Sequence, residues 1–206
     1  MTTSPTLPPA PSTPNTAAPR PAHPDVEAVR ITEVEIAARI RDLGAQLSRD
    51  YAGKDLVMVG ILTGATLFMA DLVRAMDIPL AFDFVAVGSY GEGAKASGVV
   101  RIMKDLEEPV ESRHVLVIED IMNERLSLRM RYLLDNLRSR RAASVRVCTL
   151  LDKTPVEKRA SVAALADYRG FEMAEEYLVG YGLDYGGKYR SLPYIGVLKS
   201  VVYGGG

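Results

Sequence analysis

"VLVIEDIMNERLSLRM", residues 115–130, decides how the rest of the chain is read. Val115 to Glu119 form an apolar run of strand length that ends on two adjacent acids, Glu119 and Asp120, and a helical pattern resumes from Leu126. A strand that delivers carboxylates into a loop and then a helix is a common frame for a phosphate or nucleotide site. Such a loop is ordinarily rich in Gly, Ser and Thr, so that backbone N–H groups can approach a phosphate. Here it reads Asn123-Glu124-Arg125-Leu126-Ser127, without a glycine.

Outward from that stretch the chain alternates strands and helices. "ITEVEIAARIRDLGAQLSRDYAG" (31–53) sets Ile36, Ile40, Leu43, Leu47 and Tyr51 at helical spacing behind a Thr32–Glu35 capping box. "LVMVGIL" (56–62) is too uniformly apolar for an exposed edge. "TLFMADLVRAM" (66–76) reads as a helix burying Leu67, Phe68, Leu72 and Met76. Further strands are expected at 81–87, "VVRIM" (99–103), 114–119 and "SVRVCTLL" (144–151), with a helix from Leu126 to Leu137. Strand–helix–strand repetition predicts an α/β fold with a mainly parallel sheet covered on both faces, and ligands at the carboxyl ends of its strands. Those ends carry Thr63-Gly64, Glu119-Asp120 and Asp152-Lys153. "GSYGEGAKASG" (88–98), with four glycines and two serines, reads as a long mobile loop.

Composition sets limits. The 206 residues are 48% hydrophobic and 25% charged, which suits one globular domain. A formal charge of -1 gives no reason to expect a nucleic-acid or membrane surface. Cys148, the single cysteine, sits in an apolar run and reads as a core thiol; with no disulfide possible within one chain, a reducing cytoplasm is expected. The first 24 residues hold eight of the twelve prolines. Residues 1–25 are therefore expected to be a disordered tail, and 26–206 a single domain.

The polar residues at the strand ends admit bland readings. Glu119 and Asp120 could cap the next helix, or hold a magnesium–diphosphate complex directly or through water. Lys153 could be a solvated loop lysine, or a donor to the carbonyl of a bound ring. Five tyrosines between 177 and 194 could be strand packing or base-stacking rings. Asp184 between apolar residues calls for a metal or a cation, and Arg190 suits a phosphate or an acid.

In order along the chain, "GILTGATLFMADLVRAM" (60–76), "VAVGSYGEGAKASGVVRIMKDL" (85–106), "VLVIEDI" (115–121), "VCTLLDK" (147–153) and "GFEMAEEYLVGYGLDYGGKYRSLPYIGVLK" (170–199) resemble the hypoxanthine-guanine phosphoribosyltransferases. The resemblance runs from about residue 30 to 200. It implies a type I phosphoribosyltransferase fold: a mainly parallel twisted sheet flanked by helices, with a small C-terminal hood and a flexible lid loop. It also implies transfer of a phosphoribosyl group from phosphoribosyl pyrophosphate to N9 of hypoxanthine or guanine, giving IMP or GMP. Magnesium would be the cofactor, a 6-oxopurine and phosphoribosyl pyrophosphate the substrates, and a dimer or tetramer the assembly. On that resemblance Glu119 and Asp120 face the ribose hydroxyls and the metal, Asp184 is a further magnesium ligand, and Arg190 contacts pyrophosphate. Lys153 bonds the purine 6-oxo group, Tyr177 stacks on the base, and the backbone at Leu178 reads its edge. Thr63 and Gly64 form the pyrophosphate loop, and Ser89 and Tyr90 the lid tip.

The departures fall on the opening stretch. The family has an aspartate where this chain has Asn123; that acid is thought to take or stabilise the proton at purine N7. The four residues after it wrap the 5'-phosphate, and here they are Glu124, Arg125, Leu126 and Ser127. An amide is no carboxylate base, Glu124 sets an anion beside a phosphate, and Arg125 stands where glycine lets the backbone approach. Between Asp120 and "YLL" (132–134) the chain has two residues more than the family pattern, and Thr63 replaces a common Lys or Arg. Expected activity is therefore reduced, and the alternative is a non-catalytic purine-nucleotide binder on the same fold.

Overall fold

The computed structural model describes residues 21–89, 100–161 and 165–204. The elements are β1 (Val26–Ile31), α1 (Glu33–Asp50), β2 (Leu56–Ile61), α2 (Thr66–Ala75), β3 (Ala81–Ser89), β4 (Val100–Lys104), β5 (His114–Met122), α3 (Glu124–Ser139), β6 (Ser144–Asp152), β7 (Tyr168–Glu172), β8 (Leu178–Val179), β9 (Ile195–Leu198) and α4 (Ser200–Tyr203). A single 3-10 turn, Val156–Lys158, follows β6.

Six strands form the main sheet in the order β4-β3-β2-β5-β6-β7. β2, β3, β5, β6 and β7 pair in parallel, and β4 is antiparallel to β3. Alternation along the strands divides the core between the two faces. Met58, Leu116, Ile118 and Cys148 pack with Leu43, Leu47, Phe68 and Leu72 of α1 and α2. Val57, Val59, Val115 and Val117 pack with Met130, Leu133 and Leu137 of α3. Burial of Cys148 pushes its thiol up to about 12, as a core thiol requires.

Helix α1 begins as its sequence specifies. The Thr32 hydroxyl accepts from the Glu35 N–H, and the Glu35 carboxylate accepts from the Thr32 N–H, closing the capping box. Other expectations need correction. Leu67 is half exposed rather than buried, because the inner face of α2 is formed by Phe68, Met69 and Leu72. β5 runs to Met122, so Glu119 and Asp120 lie inside the strand.

A second, three-stranded sheet in the order β1-β9-β8 forms the hood. β1 had no strong alternation to announce it: Val26 and Ile31 are buried, and the residues between them are mostly exposed. It is a strand because β9 pairs with it, Val26 opposite Leu198 and Ile31 opposite Ile195. The expected disorder of the tail lies outside the described residues from 1 to 20. Residues 23–25 are tied to the hood, with the Lys199 N–H donating to the Asp25 carbonyl at 2.9 Å.

Candidate functional site

The carboxyl ends of β2, β5 and β6 open on one edge of the main sheet, and the hood stands over it. After β2 the chain turns through a cis Leu62–Thr63 peptide into Gly64. A Cβ at Gly64 would lie 1.5 Å from Oδ2 of Asp120, so only glycine lets this loop press against the acid. Gly182 of the hood, at φ +98°, closes from the other side: a Cβ there would lie 2.2 Å from the Gly64 carbonyl oxygen. Thr63 itself is exposed, and its carbonyl accepts from the Thr66 hydroxyl at 2.8 Å.

Asp120, Lys153, Tyr177, Leu178 and Asp184 line one cavity of about 290 Å³, close to the usual lower size for a small-ligand site. Lys153 is buried; its ammonium donates to the Glu176 carbonyl and lies 3.9 Å from Glu175. Burial pulls it below its ordinary value, opposed by those two glutamates. An ammonium has three N–H donors, so the Glu176 bond leaves two. The preceding residue anchors this loop: Asp152, with its side chain fully buried, accepts from Arg169 Nε at 2.6 Å and from the Thr154 N–H at 2.8 Å.

Tyr177 stands at the rim, and its carbonyl accepts from the Leu198 N–H at 2.8 Å. In an antiparallel ladder the next residue turns its backbone groups away from the partner strand. Leu178 therefore directs its N–H and C=O away from β9 at the edge of the hood sheet. The Tyr177 ring stacks on Tyr203 of α4 at 4.8 Å between centroids and meets Tyr185 edge-on at 5.4 Å. Tyr203 was not legible as a site residue, since nothing in "SVVYGGG" signals a contact with residue 177.

The acids are not equivalent. Burial, and then the neighbouring Asp120 carboxylate, push Glu119 well above the usual carboxylate range, with Arg129 of α3 pulling the other way. Asp184 pairs with Arg190 at 2.7 Å and accepts from the Gly187 N–H at 2.8 Å; Arg190 also donates to the Gly182 carbonyl. Among the described residues no three acidic, histidine or cysteine side chains gather into a metal-binding group. Glu119, Asp120 and Asp184 thus form no cage. Asp120 and Asp184 do share a cavity wall, which suits a magnesium ion that arrives with its own phosphate oxygens.

The stretch Asn123 to Ser127 is where the sequence expectation changes most. It is no loop: α3 starts at Glu124, directly after β5 and one cap residue. Asn123 is that cap, its side-chain oxygen accepting from the Leu126 N–H at 2.9 Å. Ser127 is buried, with its N–H on the Asn123 carbonyl and its hydroxyl on the Glu124 carbonyl. Leu126 is half-buried and packs against the α3-side core. Glu124 and Arg125 are exposed and line a second cavity of about 580 Å³, which shares Lys153 and Glu175 with the first. Glu124 is held by Lys158 at 2.8 Å, an ion pair across 34 residues that sequence spacing could not reveal. Ser89 ends β3, while Tyr90 and the rest of the lid stretch to residue 99 lie outside the described residues.

The model of the phosphoribosyl transferase domain family matches residues 30–185. The chain belongs to the phosphoribosyltransferase family. It is 46% identical to the hypoxanthine-guanine phosphoribosyltransferase of Bacillus subtilis over 87% of this chain and 97% of that one. It is 48% identical, over 88% of its length, to the bifunctional protein TilS/HprT of Listeria innocua, of which it spans 27%. A solved hypoxanthine phosphoribosyltransferase from Staphylococcus aureus superposes at a TM-score of 0.79 with 43% identity, over 87% of this chain and 95% of that one. Among the described residues, no helix is long and apolar enough to cross a membrane.

Proposed function

We propose that the chain transfers the 5-phosphoribosyl group of phosphoribosyl pyrophosphate to N9 of hypoxanthine or guanine, yielding IMP or GMP and pyrophosphate. The observation that carries this reading is the shared cavity of Lys153, Tyr177, Leu178, Asp120 and Asp184 at the carboxyl edge of the sheet. Lys153 donates to the purine 6-oxo group, for which the amino group of adenine is no substitute. Tyr177 stacks on the base with Tyr203 behind it, and the backbone at Leu178 meets the base edge. Asp120 faces the ribose hydroxyls, while Thr63, Gly64 and Arg190 attend the pyrophosphate. Bound magnesium screens the pyrophosphate charge; Asp120 and Asp184 are the carboxylates we assign to hold it, directly or through water.

In the transfer the C1'–oxygen bond breaks with its electron pair leaving on pyrophosphate, and N9 forms the new bond to C1'. The purine proton departs to water, because the Asn123 amide is no base and its oxygen already caps α3. The 5'-phosphate meets the first turn of α3 rather than a glycine loop, with Arg125 beside it and the charge of Glu124 offset by Lys158. Turnover is therefore slower than a carboxylate at 123 would permit. The test is a magnesium-dependent assay following nucleotide formation from hypoxanthine, guanine and adenine. Product from the first two, little from adenine, and loss on chelation are expected; no nucleotide from any base, or equal use of adenine, contradicts the reading.

A further inference from the structure

Asp184 and Arg190 both sit on the long excursion between β8 and β9, and that excursion needs outside support. Its backbone takes positive φ at Gly180, Tyr181, Gly182, Gly186, Gly187 and Tyr189. Tyr189, immediately before Arg190, has φ +73°, a left-handed conformation that a side chain disfavours and that surrounding contacts must offset. Besides the Leu192 N–H on its carbonyl and the hood core, those contacts come from the opposite end of the chain. The Tyr189 hydroxyl donates to the Asp25 carboxylate at 2.8 Å, and the His23 ring meets the Tyr189 ring edge-on at 5.3 Å. The His23 N–H donates to the Tyr194 hydroxyl at 2.7 Å, and the Lys199 N–H holds the Asp25 carbonyl at 2.9 Å. Asp25 is thereby fixed at the start of β1, whose first residue pairs with β9.

From Tyr189 the support passes directly to the site. The Arg190 carbonyl accepts from the Gly182 N–H at 3.0 Å, its guanidinium holds Asp184, and Gly182 abuts the Gly64 carbonyl. We propose that His23 to Asp25 form a strap that positions Arg190 and Asp184 for magnesium pyrophosphate, with Asp25 and Tyr189 as its positioning residues. This rests on the assignment of Asp184 and Arg190 to the pyrophosphate end under the proposed function. Neither residue touches the reacting atoms; each acts through the backbone of 189–190.

The measurement is calorimetric titration of the full chain with magnesium pyrophosphate, alongside the KM for each substrate. Tyr189→Phe, which keeps the ring, and Asp25→Ala are each expected to weaken magnesium pyrophosphate about tenfold, as the loss of one hydrogen bond to a charged group does. The KM for phosphoribosyl pyrophosphate should rise equally, with the KM for hypoxanthine unchanged. The double variant should be no weaker than either single one, since both remove the same bond. Asp25→Asn retains a neutral acceptor oxygen and should bind more tightly than Asp25→Ala, within a few-fold of the unmodified chain. An unmodified chain that binds magnesium pyrophosphate no better than its variants overturns the strap and leaves the proposed function standing. Equal losses on the purine and pyrophosphate sides, or an Asp25→Asn chain as weak as Asp25→Ala, also overturn it. An unmodified chain that binds no magnesium pyrophosphate overturns the pyrophosphate assignment, and the strap falls with it.

Discussion

The two cavities on the sheet edge share Lys153 and Glu175, yet they are built on different terms. In the cavity proposed for base, ribose and magnesium pyrophosphate, residues far apart in sequence converge: Asp120 from β5, Lys153 after β6, Tyr177 and Leu178 at the hood edge, Asp184 beyond it. Three of them are held by specific neighbours, Lys153 by the Glu176 carbonyl, Tyr177 by Tyr203 and Asp184 by Arg190. On the phosphate side a helix begins at once after the strand, capped by Asn123 and closed by the Glu124–Lys158 pair. On the proposed function, one half of the substrate site is assembled by long-range contacts and the other by ordinary helix-start chemistry.

The contrast can be broken most severely at the Gly64 loop, which presses on Asp120 of the first cavity. Gly64→Ala would drive a methyl group into the Asp120 carboxylate, and a misplacement of about 1 Å at a reacting centre can cost on the order of 10²-fold in rate. A loss of that size in kcat/KM is expected, with secondary structure retained by circular dichroism; an active Gly64→Ala chain would mean that the Gly64–Asp120 contact is not needed. Base recognition is probed by the change in base preference on Lys153→Ala. Losing one charged hydrogen bond should lower kcat/KM for hypoxanthine about 10- to 100-fold, and the preference over adenine should shrink with it. An unchanged preference would remove Lys153 from base recognition. The smallest effect is expected at Tyr203→Ala. A stacked aromatic pair contributes about 0.5–1.5 kcal/mol, so the KM for the purine should rise roughly 2- to 10-fold with the KM for phosphoribosyl pyrophosphate unchanged. A shift in the second constant instead would place α4 on the other half of the site.

How much of this was legible in the sequence follows the same division. The main sheet was legible because its strands carry apolar runs such as 56–61, buried throughout, and 147–151, where only Thr149 is polar. The capping box of α1 was legible because its chemistry is local. β1 was not, since its partner lies about 170 residues away and its own alternation is weak. The stretch 123–127 was expected to be a loop because a substrate phosphate ordinarily asks for one. Its local chemistry pointed to a helix start: an N-capping Asn, then an acid in the first turn. Lys158 and Tyr203 were hidden because their importance comes from contacts with Glu124 and Tyr177 across the fold.

The division between the two halves is most directly measured by how much a phosphate adds to binding. Inosine and inosine 5'-monophosphate share base and ribose, so their affinity ratio for the unmodified chain isolates the α3 side of the site. With Glu124 paired to Lys158 and no glycine cradle, the phosphate should improve affinity about tenfold or less, the worth of one charged hydrogen bond. In the Asn123→Asp, Glu124→Thr, Arg125→Gly chain the ratio should widen, and kcat should rise towards the ~10²–10⁴-fold that acid–base help contributes. A ratio near 10³ in the unmodified chain, unaltered by the triple change, would show that the first turn of α3 already holds phosphate as a complete cradle does, and would contradict the account.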